Sequence, residues 1–328
     1  MAVIVLAADV GGTKSHLGLF DASSGAPVLI REHRYATLEY PSLEGICVDF
    51  IRNSPPIAGA CFGVPGVVIR GRAVPSNIPW QIVATSLVSI LGGAPVRLIN
   101  DLGATSYGLI NLPVSEFAVL QSGGAEFAGG DVAVIAAGTG LGEAALVSEN
   151  GKYHAVASEG GHSDFAPRGD EQIELLRFLA REFDHVSVER VLSGPGLHNI
   201  YRFLRARSGA GEPAWLTEQI LAGDPSAAIS AAALGARDPV CVRALEMFCD
   251  IYGAEAANLA LKVLALGGVY LGGGIAPKIL PMLQRGGFIR GFLSKGRMNE
   301  VLRHVEVRVS LNPAAALLGA AHCALAML

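Results

Sequence analysis

The tripeptide Ile99-Asn100-Asp101 decides the fold prediction, because glycine-rich turns lie on both sides of it in the sequence. Upstream is Asp9-Val10-Gly11-Gly12-Thr13-Lys14, and downstream is Gly138-Thr139-Gly140-Leu141-Gly142. Each turn follows a short run of small and β-branched apolar residues, the pattern of a buried strand. Two strand-turn elements rich in backbone N–H groups indicate a phosphate-binding site built from two halves. The Asp101 carboxylate would then face the group that receives the phosphate.

Length and composition indicate a well-buried α/β protein of one large domain or two. The chain has 328 residues, of which 51% are apolar and 16% charged, a composition unlike that of disordered chains. Its net charge is −4, and no run of Lys or Arg stands out. We therefore expect no binding to nucleic acid, whose phosphate backbone attracts basic surfaces.

The cysteines predict reduced thiols, and the apolar runs predict no membrane-spanning segment. The five cysteines contain no C-x-x-C pair, so we expect free thiols in a cytoplasmic protein. The apolar run before Asp9 is short and has no basic flank, which predicts a strand and not a signal peptide. Residues 254–266 include Glu255, Asn258 and Lys262, and residues 314–328 are too few to span a bilayer.

Strand and helix signals alternate in the first third of the chain, which predicts βαβ units and a mostly parallel sheet. Residues 29–40 and 208–213 have the composition of surface loops. A second unit is expected to have its own strands, followed by a mainly helical region. The last helix, with Pro313 in its first turn, would pack back on the first domain. The predicted domains are residues 1–111 with 312–328, and residues 112–311.

The first turn has a chemical and a structural interpretation. Glycines at positions 11 and 12 permit positive φ and let backbone amides approach an anion, while Thr13 and Lys14 add a hydroxyl and a charge. Asp9, at the strand end, is well placed to hold Mg²⁺ directly or through water, as phosphoryl transfer requires. The alternative is an ordinary β-hairpin, since Gly-Gly between two strands is a common turn.

Two further glycine-rich turns follow predicted strands. Gly138, Thr139 and Gly140 repeat the chemistry of the first turn, although they do not form a Walker A motif. Gly272-Gly273-Gly274 lacks side chains, so a flat adenine ring could lie against its backbone. The alternative for this third turn is a plain strand-to-helix connection in which the helix packs closely on the sheet.

The polar residues near these turns also allow two interpretations each. Asn100 and Asp101 could bind and deprotonate an attacking hydroxyl, but both residue types are also common helix caps. Glu159, His162 and Glu189 suit the adjacent hydroxyls of a sugar, although most Glu residues are surface charges. No spacing of His, Cys and Glu predicts a metal site built only from protein ligands.

As a set, these motifs resemble the bacterial glucokinase family, within the hexokinase and actin-like ATPase superfamily. The matching stretches follow the family's order and cover nearly the whole chain: residues 9–14, 99–101, 138–142, 159–167 (EGGHSDFAP), 189–196 (ERVLSGPG), 267–276 (GGVYLGGGIA) and 312–319. EGGHSDFAP and ERVLSGPG are the most specific of them. The resemblance implies a two-domain, α/β actin-like ATPase (ribonuclease H-like) fold with a cleft between a small and a large domain.

The resemblance also implies ATP-dependent, Mg²⁺-assisted phosphorylation of a hexose, above all D-glucose at its 6-hydroxyl, by a cytoplasmic homodimer that acts in glycolysis. By matched position, Asp101 is the expected catalytic base. The expected sugar ligands are Asn100, Asp101, Glu159, His162 and Glu189, with Asn77 as a further contact. The expected nucleotide contacts are Asp9, Gly11, Gly12, Thr13, Lys14, Gly138, Thr139, Gly140, Gly273 and Gly274. Lys14 departs from the family pattern, because many relatives carry Asn there.

Two alternatives to a glucokinase stay open at this point. One is a kinase that acts on another hexose, such as mannose, or that takes its phosphate from polyphosphate. The other is a sugar sensor that kept the fold and lost turnover, against which the intact Asp101 and both glycine-threonine turns argue. A kinase is expected to close around its sugar, because water that reaches an open site would waste ATP.

Overall fold

The computed structural model describes residues 2–75 and 78–328, and these fall into two compact units. The first unit contains the chain up to Val114 together with Asn312–Leu328, and the second contains Ser115–Leu311. Both are mixed α/β, as predicted. The predicted sugar contact Asn77 lies outside the described residues.

The first unit is built on a mixed five-stranded sheet. Its strands are β1 (Ile4–Val10), β2 (Lys14–Asp21), β3 (Val28–Ala36), β4 (Gly59–Val64), β5 (Val68–Ile69), β6 (Arg72–Ala73), β7 (Ile82–Val83) and β8 (Val96–Asn100). Its helices are α1 (Leu43–Phe50), α2 (Ala84–Ile90), α3 (Asp101–Asn111) and the last helix of the chain, α12 (Ala315–Leu325). The main sheet has the order β3-β2-β1-β4-β8, and β5, β6 and β7 form a small sheet of their own.

Strand direction in this sheet differs from the prediction. Strands β1, β4 and β8 run parallel, but β2 pairs antiparallel with both β1 and β3. The sheet is mixed because the short turn after β1 leaves no room for a crossover, so β2 returns antiparallel. The expectation of a mostly parallel sheet is therefore correct only for β1, β4 and β8.

The segment 29–40, predicted to be a surface loop, is mostly strand β3, so that prediction is wrong. Strand β3 is the edge of the sheet, and within it only Tyr35 is buried. An edge strand exposed on both faces carries polar residues without a clear apolar alternation, so its sequence resembles that of a loop. Pairing with β2 orders it.

Helices cover both faces of the first sheet. Val5 and Ala7 on β1 pack toward α3 and α12, while Leu6 and Ala8 belong to the cluster that includes residues of α1 and α2. Helices α3 and α12 approach so closely that a Cβ on Gly108 would lie 1.8 Å from the Ala315 carbonyl oxygen. Pro313 precedes Ala314, the N-cap of α12, so its predicted place in the first turn is wrong.

The second unit is built on a six-stranded sheet covered by helices. Its strands are β9 (Phe117–Gln121), β10 (Val132–Ala137), β11 (Leu141–Glu149), β12 (Lys152–Ser158), β13 (Gly268–Gly272) and β14 (Val307–Ser310), in the order β12-β11-β10-β13-β14-β9. Its helices are α4 (Gly169–Leu179), α5 (Gly194–Ser208), α6 (Ala214–Ala222), α7 (Pro225–Leu234), α8 (Pro239–Val263), α9 (Leu280–Met282), α10 (Phe288–Phe292) and α11 (Asn299–Leu302). Within residues 2–75 and 78–328, no helix combines the length and apolar character needed to cross a membrane.

Candidate active site

The turn between β1 and β2 is braced by a residue that lies far away in the sequence. The Gly11 N–H donates to the Lys14 carbonyl at 2.9 Å, which closes the hairpin. Buried Thr37 donates from Oγ1 to the Gly11 carbonyl at 2.8 Å and from its N–H to the Thr13 carbonyl at 3.0 Å. No motif pointed to Thr37, because it follows a strand that was mistaken for a loop.

The glycines of this turn do not act through positive φ. Neither Gly11 nor Gly12 has that conformation, contrary to the expectation from sequence. A Cβ on Gly11 would lie 3.0 Å from the Lys14 carbonyl oxygen, so glycine is favoured there by space. Thr13 and Lys14 are exposed at the tip of the hairpin, where their side chains are accessible to a ligand.

Asp9 is the next-to-last residue of β1 and lies beside the N-terminus of α3, and its electrostatic setting is unusual. Burial and the nearby Asp101 carboxylate raise the pKa of Asp9 to about 6, while Arg34 acts in the opposite direction. Two acidic side chains that repel each other in a partly buried place favour a cation between or beside them. The described residues contain no group of three or more His, Cys, Asp or Glu side chains arranged to hold a metal.

Asn100 and Asp101 form the beginning of α3, and capping proves to be one of their roles. Asn100 Oδ1 accepts from the N–H groups of Leu102 at 2.9 Å and Gly103 at 3.4 Å, and its Nδ2 donates to the Gly66 carbonyl at 3.1 Å. Asp101 Oδ1 accepts from the Leu102 N–H at 2.8 Å. These bonds fix Asp101 as the first residue of the helix, where the dipole favours a negative charge.

In the second unit, two glycine-rich turns lie at the same edge of the sheet. Strands β10 and β13 run parallel, so their carboxyl ends, which lead into Gly138 and Gly273, are neighbours. Gly138 donates to the Gly140 carbonyl and accepts from the Gly194 N–H, both at 2.8 Å. Gly273 has φ of +76°, and a Cβ there would lie 2.5 Å from the Ala137 carbonyl oxygen. Only glycine fits at position 273, whereas Gly274 has open space around it.

Glu159 and His162 lie close together on an exposed part of the same unit. The 3-10 turn Gly160–His162 follows Glu159, and the His162 N–H donates to the Glu159 carbonyl at 2.9 Å. The His162 Nε2 and Glu159 Oε2 atoms are 3.9 Å apart, and both side chains are more than half exposed. Exposed, adjacent imidazole and carboxylate groups are able to form hydrogen bonds with neighbouring hydroxyls of a ligand.

Glu189 connects the second glycine-threonine turn with this polar region. Its Oε2 accepts from the Leu141 N–H at 2.9 Å, and a Cβ on Gly140 would lie 2.5 Å from the same oxygen. His162 and Glu189 line one open cavity of about 390 Å³. Glu189 is therefore not a free surface charge, and its contact with the turn is a feature that sequence spacing did not reveal.

The structure thus gathers the predicted residues into two groups, one in each unit. In the first unit, Asp9 and Asp101 are electrostatic neighbours beside the first turn. In the second unit, Glu189 accepts a hydrogen bond from the turn that contains Thr139. The neighbouring Val188 N–H donates to the Ser163 carbonyl at 2.9 Å, which holds the Glu189 segment beside the Gly160–His162 turn.

Comparison with known proteins gives one family over almost the whole chain. The family model named Glucokinase matches residues 6–327. A glucokinase of Nostoc punctiforme is 40% identical, covering 98% of both chains, and one of Synechocystis sp. is 39% identical, covering 99% of this chain and 98% of that one.

Solved structures agree with this assignment. A glucokinase from an Antarctic psychrotroph has a TM-score of 0.86 and 31% identity, covering 99% of each chain. A glucokinase of the ROK family from Streptomyces griseus, solved with glucose and AMPPNP, has a TM-score of 0.66 and covers 98% of this chain and 99% of that one. Its 24% identity shows a shared fold alone. From the family model and the full-length relatives, this chain belongs to the glucokinase family.

Proposed function

We propose that this protein is an ATP-dependent glucokinase that transfers the γ-phosphate of ATP to the 6-hydroxyl of D-glucose, giving glucose 6-phosphate and ADP. One structural observation carries the proposal beyond family membership. The Asp101 carboxylate is fixed at the first residue of α3 and lies near Asp9, just before the first turn. This arrangement supports the proposal that Asp101 accepts a proton beside a turn suited to phosphate.

Asp101 is the proposed catalytic base, which orients the 6-hydroxyl and accepts its proton. An aspartate is a weak base, but phosphoryl transfer has a loose transition state in which the proton leaves late. Positioning then contributes more than basicity, and the cap of α3 supplies that positioning. Asn100 directs Oδ1 to the helix and donates one N–H of Nδ2 to the Gly66 carbonyl, so the second N–H of Nδ2 is left for a sugar.

The residues around Asp9 fit a Mg²⁺ ion. The mutual repulsion of Asp9 and Asp101 is relieved by a bound cation, and Mg²⁺ commonly uses one or two carboxylates and completes its shell with water and phosphate oxygens. When bound, Mg²⁺ would neutralise charge on the phosphates. Asp9 would hold it, directly or through water, and the N–H groups of the Gly11–Lys14 and Gly138–Gly140 turns would bind phosphate oxygens.

The remaining predicted contacts divide between sugar and nucleotide. Glu159, His162 and Glu189 are the proposed hexose ligands, joined by Asn100 and Asn77. Gly273 and Gly274 are proposed to lie against the adenosine, since they leave backbone without side chains beside the second turn. Lys14, exposed next to Thr13, would contact phosphate.

We further propose that the protein is a cytoplasmic homodimer. All five cysteines are free and buried, which suits a reducing compartment. The homodimer rests on the resemblance of the motifs to the family. Light scattering on the purified protein would give the mass directly, and a monomer at micromolar concentration would contradict the dimer.

A matrix of phosphoryl donors against hexoses tests the proposed function. Purified protein is assayed for phosphorylated product with ATP or polyphosphate as donor and with glucose, mannose, fructose or galactose as acceptor. We expect the highest kcat/KM with ATP and glucose. A preference for mannose or for polyphosphate would replace the substrate assignment, and glucose binding without any product would indicate a sensor.

A further inference from the structure

Two buried carboxyl groups lie directly behind the turn that holds Glu159 and His162. Glu143 on β11 and Glu255 on α8 are only 1% and 5% exposed. Their carboxyl groups are close enough that the charge of Glu255 acts on Glu143. Two carboxylates that are this close and shielded from water repel each other strongly when both are ionised, so the pair favours holding one proton.

The surroundings of the pair agree with a shared proton. In each carboxyl group, Oε1 is buried and accepts no hydrogen bond from any residue in the described ranges. Glu255 Oε2 accepts from Asn258 Nδ2 at 2.8 Å, and Lys262 Nζ lies 3.8 Å from Glu255 Oε1. Burial and the charge of Glu255 raise the pKa of Glu143 to about 7, against the influence of Lys262.

The Glu143 carboxyl group supports the backbone of residues 159–162, which carry the proposed sugar ligands Glu159 and His162. A Cβ on Gly160 would lie 2.1 Å from Glu143 Oε2, so this oxygen rests on the Gly160 backbone. Gly161 is packed equally tightly, with its hypothetical Cβ 2.1 Å from the Leu141 carbonyl oxygen. A movement of the Glu143 carboxyl group is therefore passed to Gly160 and so to residues 159–162, which include Glu159 and His162.

Charged and titratable groups face the pair from several elements. Helix α8 presents Tyr252 and Lys262, and Lys295 reaches the pair through Asn258. Arg168, Glu255 and Lys295 line a cavity of about 120 Å³. Arg168 also forms an ion pair with Asp250. Glu159 and His162 lie on the solvent side. The cavity offers a polar space beside Glu255 through which the proton can exchange.

We propose that Glu143 and Glu255 are positioning residues, and that the proton they share holds residues 159–162 in the arrangement that binds the hexose. The inference rests on the proposed function, because it assigns sugar contacts to Glu159 and His162. Loss of the shared proton places two negative charges in contact, and their repulsion displaces Gly160. The affinity for glucose is then expected to fall as pH rises, with a smaller change in kcat.

Calorimetric titration with D-glucose between pH 6 and pH 8.5 tests the proposal without requiring turnover. For the wild-type protein we expect the dissociation constant to rise about threefold or more over this range. Glu143→Gln should remove that rise, because its amide donates permanently to Glu255. Glu149→Gln, on an exposed residue of the same strand, is the matched control and should behave as the wild type.

His162 is unchanged in all of these proteins, so its own titration cannot explain a difference between them. An equal rise in wild type and Glu143→Gln, or no rise in the wild type, would overturn the proposal. If Glu143→Gln does not fold, Glu255→Gln takes its place with the same expectation.

Infrared spectroscopy separates failure of the pair from failure of the proposed function. The wild type should show a carboxylic-acid C=O band near neutral pH that fades at higher pH and is absent in Glu143→Gln. Absence of this band in the wild type would overturn the shared proton. If the wild type shows this band but does not bind glucose at any pH, the pair does share a proton. That result would overturn the role of the shared proton in hexose binding, and it would also overturn the proposed function.

Discussion

Asp9 is a single residue whose carboxyl group is held in an electrostatically unfavourable setting. Its carboxyl group is partly buried and lies near Asp101, and both features raise its pKa to about 6. Because this value is above that of the unfolded chain, ionised Asp9 destabilises the fold. The associated loss of stability begins above about pH 4 and is complete once the pH has passed 6.

Asp9→Asn should therefore raise the melting temperature at pH 8 in buffer with a chelator, and change it little near pH 4. The expected gain at pH 8 is on the order of 1 to 3 kcal/mol in unfolding free energy. Thermal melts at the two pH values measure it, with the exposed Glu39→Gln as control. Equal melting temperatures for Asp9→Asn and the wild type at pH 8 would show that Asp9 is not under this electrostatic strain.

Thr37 supports the first turn through its hydroxyl and its backbone. Thr37→Val keeps the shape of the side chain but removes the bond to the Gly11 carbonyl, as well as the 2.9 Å bond with Ser15 Oγ. We expect a loss of roughly 1 to 3 kcal/mol in stability, since a buried acceptor and a buried hydroxyl lose their partner. The KM for ATP should also rise.

Thr37→Ser is the matched control, because it retains the hydroxyl. Denaturant melts and ATP kinetics on the two variants give both results. If Thr37→Val and Thr37→Ser are equally stable and have equal KM values for ATP, the hydroxyl does not brace the turn.

At the scale of elements, the turn between β10 and β11 is joined to the Glu189 segment. Gly140→Ala introduces a Cβ 2.5 Å from Glu189 Oε2 and must displace that carboxylate or the turn. We expect an increase of about tenfold in the KM for glucose, although Gly140 belongs to a proposed phosphate turn. Gly138→Ala is the control in the same turn, since no other part of the chain that the structure describes lies within 4 Å of its added Cβ, apart from its chain neighbours. Equal KM values for glucose in the two variants would contradict this connection.

Elements with continuous apolar runs could be predicted from the sequence, and polar edge elements could not. Strands β1, β4 and β10 are almost entirely buried, and their runs of small and branched apolar residues are the pattern that predicts such strands. Strand β3 was missed because its order comes from pairing with β2 and not from its own pattern.

The contacts that complete the candidate site were harder still to predict. The bond from Leu141 to Glu189 joins residues 48 positions apart, and the Glu143–Glu255 pair joins β11 to α8. Residue types and motif order indicated candidate side chains. The partners of those side chains depend on tertiary packing, which a single sequence does not display.

At the scale of the whole molecule, the proposed reaction assigns ligands of one hexose to both units. Asn100 and Asp101 belong to the first unit, and Glu159, His162 and Glu189 belong to the second. We therefore expect saturating glucose to reduce the radius of gyration measured by small-angle X-ray scattering. Galactose, as a poor substrate, is the control sugar. An unchanged scattering profile with glucose would contradict a closing motion.

Asp101 is the proposed acceptor of the proton from the hexose hydroxyl, and steady-state kinetics of Asp101→Asn test this role. The Asn side chain still offers an oxygen to the Leu102 N–H, so the beginning of α3 should remain intact. We predict that kcat falls by about 10²-fold or more while the KM for glucose changes only modestly. A kcat near that of the wild type would contradict the assignment of Asp101 as the catalytic base.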